Sequence, residues 1–134
     1  MRVSGGDLAA VRYARFALAA AFISAVGSRL GLWGTWSGFE EWARTDVLAF
    51  APAFAVKPML VVATILEGTL GLLLLAGIWR RAVGIAAAVL LASFAIAMAL
   101  SAGIKSPLDY SVLSASAAAL LVSRVGAHGG RSQT

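Results

Sequence analysis

A single glutamate, Glu67, lies near the centre of the long apolar run at residues 58–79. A carboxylate in the middle of a bilayer costs about 2.5–3.5 kcal/mol on a membrane-insertion scale, so it needs a partner or a proton. Ionisable residues inside membranes often mark substrate sites or proton pathways. Glu67 is therefore the first candidate for chemistry in this sequence.

A basic partner for Glu67 is available near the end of the first apolar run, where Arg29 lies. Arg29 and Glu67 are expected at different depths below the same membrane face, and two long side chains can span the difference. Ala63 and Gly71 share the helix face of Glu67, and this small-residue face points the glutamate into a packed interior. The turn before the fourth apolar run adds polar residues on the same side. We expect one polar cluster, which consists of Arg29, Thr64, Glu67, Lys105, Asp109 and Tyr110.

Two roles for this cluster stay open. It is either a structural ion pair that fixes the register of the helices, or a site that binds a lipophilic substrate such as a quinone or handles a proton. Glu67→Gln distinguishes them, because a structural pair predicts lost assembly and a functional site predicts lost binding or activity.

Enzyme chemistry within this chain alone is not expected. The sequence has no cysteine, and its one histidine, His128, lies in a glycine-rich tail, so we expect no metal-ligated or covalently bound cofactor. The chain also lacks a Ser-His-Asp set, a phosphate-binding loop and a pair of intramembrane histidines for haem. No catalytic residue is assigned.

The composition places these residues in a membrane. The 134 residues are 60% apolar and 13% charged, whereas about 25% of residues are charged in a soluble domain. The net charge of +5 does not indicate a nucleic-acid partner, because the arginines lie at the ends of apolar runs. The expected partner is the lipid bilayer.

Four apolar runs predict an all-α fold, an integral membrane four-helix bundle in one domain at residues 1–125. The tail at residues 126–134 is expected to be disordered. The predicted spans are residues 10–33, 58–79, 82–101 and 107–123. Ser106 followed by Pro107 predicts that the fourth helix begins there.

Residues 38–50, between the first two spans, predict a short amphipathic helix on the membrane surface. Its apolar face holds Phe39, Trp42, Ala43, Val47 and Phe50, and its charged residues face the other way. A structured loop over the mouth of the bundle is the alternative.

Gly27 and Gly31 form a GxxxG pattern in the first apolar run. This spacing lets two helices approach closely, either within the fold or between copies of the chain. A homo-oligomer is therefore one expected assembly.

The distribution of basic residues predicts the orientation. Seven arginines lie near one side of the predicted spans and four Lys or Arg residues near the other. Because cytoplasmic loops carry the excess of basic residues, both termini are expected in the cytoplasm. The seven are Arg2, Arg12, Arg15, Arg80, Arg81, Arg124 and Arg131, and the four are Arg29, Arg44, Lys57 and Lys105.

Three segments of the sequence carry a family resemblance: AVGSRLGLWG at the end of the first run, LEGTLGLLLLAGIWRR in the second, and GIKSPLDYSVLSASAAALL at the end. Together they resemble the DoxX family of small four-helix membrane proteins. The resemblance covers residues 12–121 and is carried by the order and spacing of the segments. Glu67 matches the second-helix glutamate of the family, and Arg29 stands where many members have a lysine.

The resemblance implies a multi-pass protein of the bacterial cytoplasmic membrane and a role that depends on a partner. The family is named after a subunit of a thiosulfate:quinone oxidoreductase, and other members resemble components of redox-stress complexes. We therefore expect a membrane subunit or anchor of an oxidoreductase system, with a quinone as the candidate ligand near Glu67. The alternative is a non-enzymatic scaffold, a chaperone-like factor or a small-solute carrier.

Overall fold

A computed structural model describes residues 4–129 and the side chains of residues 4–124, and every regular element in these residues is a helix. Three of the helices are long and apolar enough to cross a membrane, and these are α1, α3 and α4. The all-α class and the presence of candidate membrane spans are therefore confirmed. The elements are α1 (Gly5–Arg29), α2 (Trp36–Asp46), α3 (Ala53–Ala76), α4 (Arg80–Ala102), α5 (Lys105–Asp109) and α6 (Val112–Gly129).

Helix α1 begins before the predicted residue 10 because a capping box closes its first turn. The Asp7 N–H donates to the Ser4 hydroxyl at 3.1 Å, and the Ser4 N–H donates to the Asp7 carboxylate at 2.8 Å. These two bonds satisfy backbone groups that a helix start otherwise leaves without partners.

The end of α1 corrects the prediction of a GxxxG helix face. The helix ends at Arg29, and Gly31 lies in the following turn with a φ of 104°, which is left-handed backbone that glycine adopts readily. Gly27 lies against the side chain of Leu32 from that same turn. The two glycines therefore do not form one helical surface.

Helix α3 begins at Ala53, earlier than the predicted residue 58, with Pro52 as its N-cap. Pro58 lies inside the helix, where it cannot donate the backbone hydrogen bond of a normal residue. The helix ends at Ala76 with Gly77 as its C-cap, whose φ of 74° is left-handed, and Trp79 has a φ of 47° just before α4. The predicted boundary between the second and third spans is thus a very tight turn.

The fourth apolar run is not the single helix predicted at residues 107–123. It is divided into α5 and α6, because Ser111 has a φ of 56° and interrupts the helical backbone. The predicted start, with Ser106 as the N-cap and Pro107 as the first helical residue, is also wrong, since α5 begins at Lys105 with Ile104 as its N-cap. Helix α6 continues to Gly129, through the first part of the predicted tail, and residues 130–134 lie outside the described residues.

Helices α1 and α3 pack antiparallel through small residues of α3. A Cβ atom added to Gly71 would lie 3.1 Å from the Cβ of Phe22, and one added to Gly68 would lie 3.7 Å from Val26. Residues later in α1 thus meet residues earlier in α3, which defines the antiparallel direction. The absent side chains let the two backbones approach closely.

Helices α4 and α6 form the most extensive helix pair, also antiparallel. A Cβ atom added to Gly84 would lie 2.6 Å from the Cβ of Ser123, closer than real Cβ contacts come. One to two turns away, the Ser116 hydroxyl donates to the Ala88 carbonyl at 2.8 Å. Glycine at position 84 is therefore required by the close contact of two backbones.

The four long helices contact one another in the cyclic order α1, α3, α4, α6 and back to α1. The α1–α3 and α4–α6 pairs are extensive, and the α3–α4 pair is the least extensive of the four. Helix α2 contacts α1, α3 and α4, and α5 contacts α4 and α6. The end of α1 and the beginnings of α3 and α6 are therefore at the end of the molecule that α2 and α5 cover.

Large apolar side chains cover the outward faces of the long helices. On α3 alone, eight such residues are exposed: Phe54, Met59, Val61, Val62, Ile65, Leu66, Leu72 and Leu75. A soluble protein rarely exposes so continuous an apolar surface, whereas a membrane-spanning helix presents it to lipid. This exposure agrees with the length and composition of the helices, which are those of a membrane protein.

Candidate ligand site at the Arg29–Glu67 pair

The site begins with an ion pair that joins α1 to α3. Nη1 of Arg29 donates to the Oε2 of Glu67, and the two side chains are 9% and 6% exposed. The same Nη1 donates to the Thr64 hydroxyl at 2.9 Å. Because opposite charges satisfy each other here, both can be buried between apolar helices.

Local structure explains why these side chains meet. Arg29 is the last residue of α1, where a cation interacts favourably with the negative end of the helix dipole. Thr64 and Glu67 are three residues apart on α3, so their side chains lie on the same face. The Thr64 hydroxyl also donates to the Leu60 carbonyl at 2.8 Å, which fixes its oxygen as an acceptor for Arg29.

An aromatic ring from α2 covers the guanidinium. The Cζ of Arg29 lies 3.8 Å from the centroid of the Phe39 ring, within the distance of a cation–π interaction. Arg29 is thus held by Glu67 and Thr64 from α3 and by Phe39 from α2. Three elements of the fold fix the position of this one cation.

The ion pair forms part of the wall of a partly open cavity of about 450 Å³ between the helices. The rest of the wall is almost entirely apolar and comes from α1, α2, α3, α4, α6 and the turn before α6. Arg29 and Glu67 are the charged residues among those that line the cavity. The full set is Leu18, Ala21, Phe22, Ala25, Arg29, Phe39, Trp42, Ala43, Val47, Leu60, Ala63, Glu67, Leu91, Phe94, Met98, Tyr110, Val112 and Ala115.

Polar atoms of the pair keep hydrogen-bonding capacity. Among residues 4–124, the hydrogen bonds of Arg29 use Nη1, and the one that Glu67 accepts uses Oε2. The donors at Nε and Nη2 of Arg29 and the acceptor Oε1 of Glu67 have no protein partner within that part of the chain. The cavity thus offers donors and an acceptor to a bound molecule.

Helix α2 covers the cavity through the apolar face predicted from the sequence. Phe39, Trp42, Ala43 and Val47 all line the cavity, whereas Phe50 is exposed beyond the end of the helix. The rings of α2 are in contact, with Phe39 and Trp42 centroids 6.1 Å apart. This helix is therefore the wall of the cavity at one end of the molecule.

Tyr110 connects α2 to the break between α5 and α6. Its ring lies 5.8 Å from the Trp42 ring in an edge-to-face arrangement, and Tyr110 lines the cavity. The interruption at Ser111 follows directly. Irregular backbone inside a membrane protein is tolerated where it lines a cavity, and this break does so.

Four of the six predicted cluster residues meet at the cavity, and two do not. Arg29, Thr64 and Glu67 are hydrogen-bonded, and Tyr110 lies on the cavity wall. Lys105 donates to the Asp109 carboxylate at 2.6 Å, and these side chains are 82% and 57% exposed. They pair with each other because α5 begins at Lys105, which places them one helical turn apart.

Phe39 and Trp42 are site residues that a search for polar groups does not find. The sequence signal for them is the apolar face of residues 38–50, which predicts a contact with the membrane surface. An amphipathic helix has the same pattern whether its apolar face meets lipid or protein. Only the position of α2 over the bundle separates the two.

A metal site is not formed by the described part of the chain, where no three His, Cys, Asp or Glu side chains cluster. The chemistry that the cavity offers is binding of an uncharged, largely apolar molecule with a polar atom directed at Arg29 and Glu67.

Comparisons of the chain with protein-family models, with curated proteins and with solved structures found no match, so the resemblance to the DoxX family stays a prediction.

Proposed function

We propose that this protein is the membrane subunit or anchor of an oxidoreductase system and that it binds a quinone-like molecule in the cavity beside Arg29 and Glu67. The observation that carries the proposal is a buried ion pair with unused hydrogen-bonding atoms in the wall of an apolar cavity. The link to an oxidoreductase rests on the resemblance to the DoxX family. The reaction itself is assigned to the partner subunit.

The size and lining of the cavity support a quinone ring as the ligand. Its volume of about 450 Å³ lies in the range of small-molecule sites, roughly 300–1,000 Å³. A ring carbonyl can accept a hydrogen bond from Nε or Nη2 of Arg29, and a hydroxyl of the reduced form can donate to Oε1 of Glu67. Phe39 and Trp42 provide aromatic surface for the ring.

The proposal includes a four-helix membrane bundle in which α1, α3 and α4 span the bilayer, and α5 and α6 together make the fourth crossing. The apolar part of α6, Val112–Arg124, is shorter than a full span, and α5 supplies the remaining length. The basic residues at the other end of the molecule support an orientation with both termini in the cytoplasm. A reporter enzyme fused after Arg81 should then be active only in the cytoplasm, and one fused after Gly103 only outside.

The second candidate function is a scaffold in which the ion pair only holds α1 against α3. One observation favours it, since the pair joins these two antiparallel helices directly. Buried ion pairs fix register in some proteins. In this case the pair would contribute to assembly and the cavity would have no ligand.

Binding of a tailless benzoquinone to the purified protein in nanodiscs, followed by quenching of tryptophan fluorescence, separates the two functions. Glu67→Gln is the test variant, and Glu41→Gln, an exposed carboxylate on α2, is the matched control. We expect Glu67→Gln to weaken quinone binding about tenfold, which corresponds to 1.4 kcal/mol, with an intact fold by circular dichroism. Unchanged binding in Glu67→Gln and in Arg29→Gln would refute the quinone site.

If Glu67→Gln fails to assemble, the charge-exchanged variant Arg29→Glu with Glu67→Arg decides the question. That variant restores a pair of opposite charges but reverses the positions of donors and acceptor. Restored assembly without quinone binding supports the ligand site. Restored assembly with full quinone binding would show that the pair only holds α1 against α3 and makes no specific hydrogen bond to the quinone.

A further inference from the structure

A second apolar space lies on the outer surface between α3 and α4. This groove has a volume of about 620 Å³ and lies in the half of the helices nearest α2. All its lining residues are apolar except Ser93. They are Val47, Leu48, Phe50, Pro58, Met59, Leu60, Val62, Ala63, Leu66, Leu90, Ser93, Phe94, Ile96, Ala97 and Leu100.

The groove and the cavity at the ion pair have a common wall. Four residues line both spaces: Val47, Leu60, Ala63 and Phe94. A single layer of side chains thus separates the outer surface from the cavity that contains Glu67. Phe94 is half-buried in this layer and is the largest of the four side chains.

The packing of α3 and α4 explains why a groove forms at this position. This pair has the least extensive contact of the four neighbouring pairs in the cycle of long helices. On α4, Leu90, Ser93 and Ala97 share one helix face, and two of these side chains are small. The tight turn at residues 77–79 joins the two helices at their other end, and the groove lies away from it, beside residues 58–66 and 90–100.

We propose that the groove between α3 and α4 holds the flexible apolar tail of the same ligand whose polar ring occupies the cavity, and that the ligand enters from the bilayer through this groove. The occupant is a quinone-like molecule with one isoprenoid or alkyl chain. This inference rests on the proposed function and adds the tail site and the route.

The common wall of the two spaces favours this occupant over an ordinary phospholipid. A phospholipid keeps its charged headgroup in the headgroup layer, whereas one layer of side chains separates the groove from a cavity with one ion pair. A molecule with a small polar ring and a single chain matches this arrangement of a polar end inside and an apolar path outside. Helix α2 and its aromatic residues cover the cavity at the end of the bundle, and the common wall with the groove faces the lipid side, which favours entry from the bilayer.

The tail should affect ligand binding through its shape more than through hydrophobic free energy, because lipid chains are as apolar as the groove. The tail of a bound ring must pass between α3 and α4, so a side chain that fills the groove should exclude tailed molecules. A ring without a tail needs only a transient opening and should still bind. The test therefore compares two ligands in the same variants.

The probes are two benzoquinones with one ring structure, one without a tail and one with an alkyl tail of about ten carbons. The test variants are Ser93→Phe and Ala97→Phe, whose positions line the groove and not the cavity. Val89→Phe, on the lipid-exposed surface of α4, is the matched control. Binding is measured in nanodiscs by tryptophan quenching and expressed per mole of quinone in the bilayer.

We expect both groove variants to weaken binding of the tailed quinone about tenfold and to leave the tailless quinone and the Val89→Phe control unchanged. Equal loss for both quinones, or no loss for either, would overturn the tail site. Binding of the tailless ring that depends on Glu67 would in either case leave the proposed function standing. Absence of binding by both quinones to the wild-type protein would instead refute the proposed function.

Photo-crosslinking gives a second readout that does not depend on affinity. A quinone with a photoreactive group at the end of its tail should label α3 and α4 peptides that contain Met59, Leu66 or Ala97, and excess unlabelled tailed quinone should prevent the labelling. A phospholipid with a photoreactive chain should label these peptides weakly and without competition. Equal labelling by the phospholipid, unaffected by quinone, would show that bulk lipid occupies the groove.

Discussion

Arg29 of α1 and Glu67 of α3 form a buried ion pair that is also the polar part of the cavity wall. Removal of one partner leaves the other charge buried without compensation. We expect Glu67→Ala to lower the free energy of unfolding by about 3–5 kcal/mol. Thermal unfolding in a mild detergent, monitored by circular dichroism, measures the change.

Replacement of both charges tests whether the pair is needed for stability at all. The double variant Arg29→Met with Glu67→Leu removes the two buried charges together, and apolar replacements of a buried pair are often neutral or stabilising. We expect stability close to that of the wild type together with lost quinone binding. A double variant as unstable as Glu67→Ala would show that the pair is required for the fold.

Phe39 holds the guanidinium of Arg29 in the cavity wall through its ring. Phe39→Leu keeps an apolar side chain but removes the π-system, so we expect tailless quinone binding to weaken by about 1 kcal/mol, roughly fivefold. Phe54→Leu, at an exposed position on α3, is the control and should bind normally. Equal affinity of the two variants would exclude a role for the ring.

Gly84 is the position where α4 and α6 are in closest contact. A Cβ there would lie 2.6 Å from the Ser123 Cβ and 2.8 Å from its Cα, so a larger residue must push the helices apart. We expect Gly84→Ala to destabilise the protein by about 1–3 kcal/mol.

Gly68→Ala is the matched control for this change, because its added Cβ would make only an ordinary contact with Val26 at 3.7 Å. Since alanine is favoured over glycine inside a helix, this variant should be neutral or slightly more stable. Comparison of the two melting temperatures checks the prediction. An equally tolerated Gly84→Ala would mean that α4 and α6 are farther apart than described.

Glu40 on α2 shows how one exposed ion pair should respond to pH. Arg44 donates to the Glu40 carboxylate at 2.5 Å, and this hydrogen bond lowers the pKa of Glu40 below its usual value. A lowered pKa in the folded state means that the pair stabilises α2 above the ordinary glutamate pKa. That contribution is lost as the pH falls through the lowered pKa.

We expect Arg44→Gln to return the pKa of Glu40 toward its usual value and Arg44→Lys to restore part of the shift. NMR titration of carboxyl-labelled glutamate measures both. A Glu40 titration that is the same in the wild type and Arg44→Gln would contradict the pairing. The effect on global stability should be small, because exposed pairs one turn apart contribute little.

Much of the fold follows from local patterns in the sequence. Apolar length predicts α1, α3 and α4, and the spacing of Phe39, Trp42, Ala43 and Val47 predicts the apolar face of α2. The helix ends were less predictable. The Ser4–Asp7 capping box extends α1, and the left-handed backbone at Ser111 divides the fourth apolar run. Single residues with little effect on hydropathy decide such boundaries.

The candidate site was predictable where depth and helix face determine it and not elsewhere. Arg29, Thr64 and Glu67 meet because their positions along two neighbouring helices correspond. Asp109 has the same approximate depth, but α5 begins two residues earlier than predicted, so Lys105 lies one helical turn from Asp109 and pairs with it. Depth gives one coordinate of a side chain, and the direction in which it points depends on the turn that carries it.

The sequence by itself determined a membrane-type helical chain with a glutamate inside an apolar helix, because hydropathy and helical period are local properties. The tertiary structure decided that Phe39 covers Arg29, that the ion pair lies in the wall of an apolar cavity, and that the α3–α4 contact leaves a groove beside this cavity. These features arise where separate helices meet, so they depend on crossing distances and directions. Helix–helix geometry of that kind is set by the packing of all the elements together.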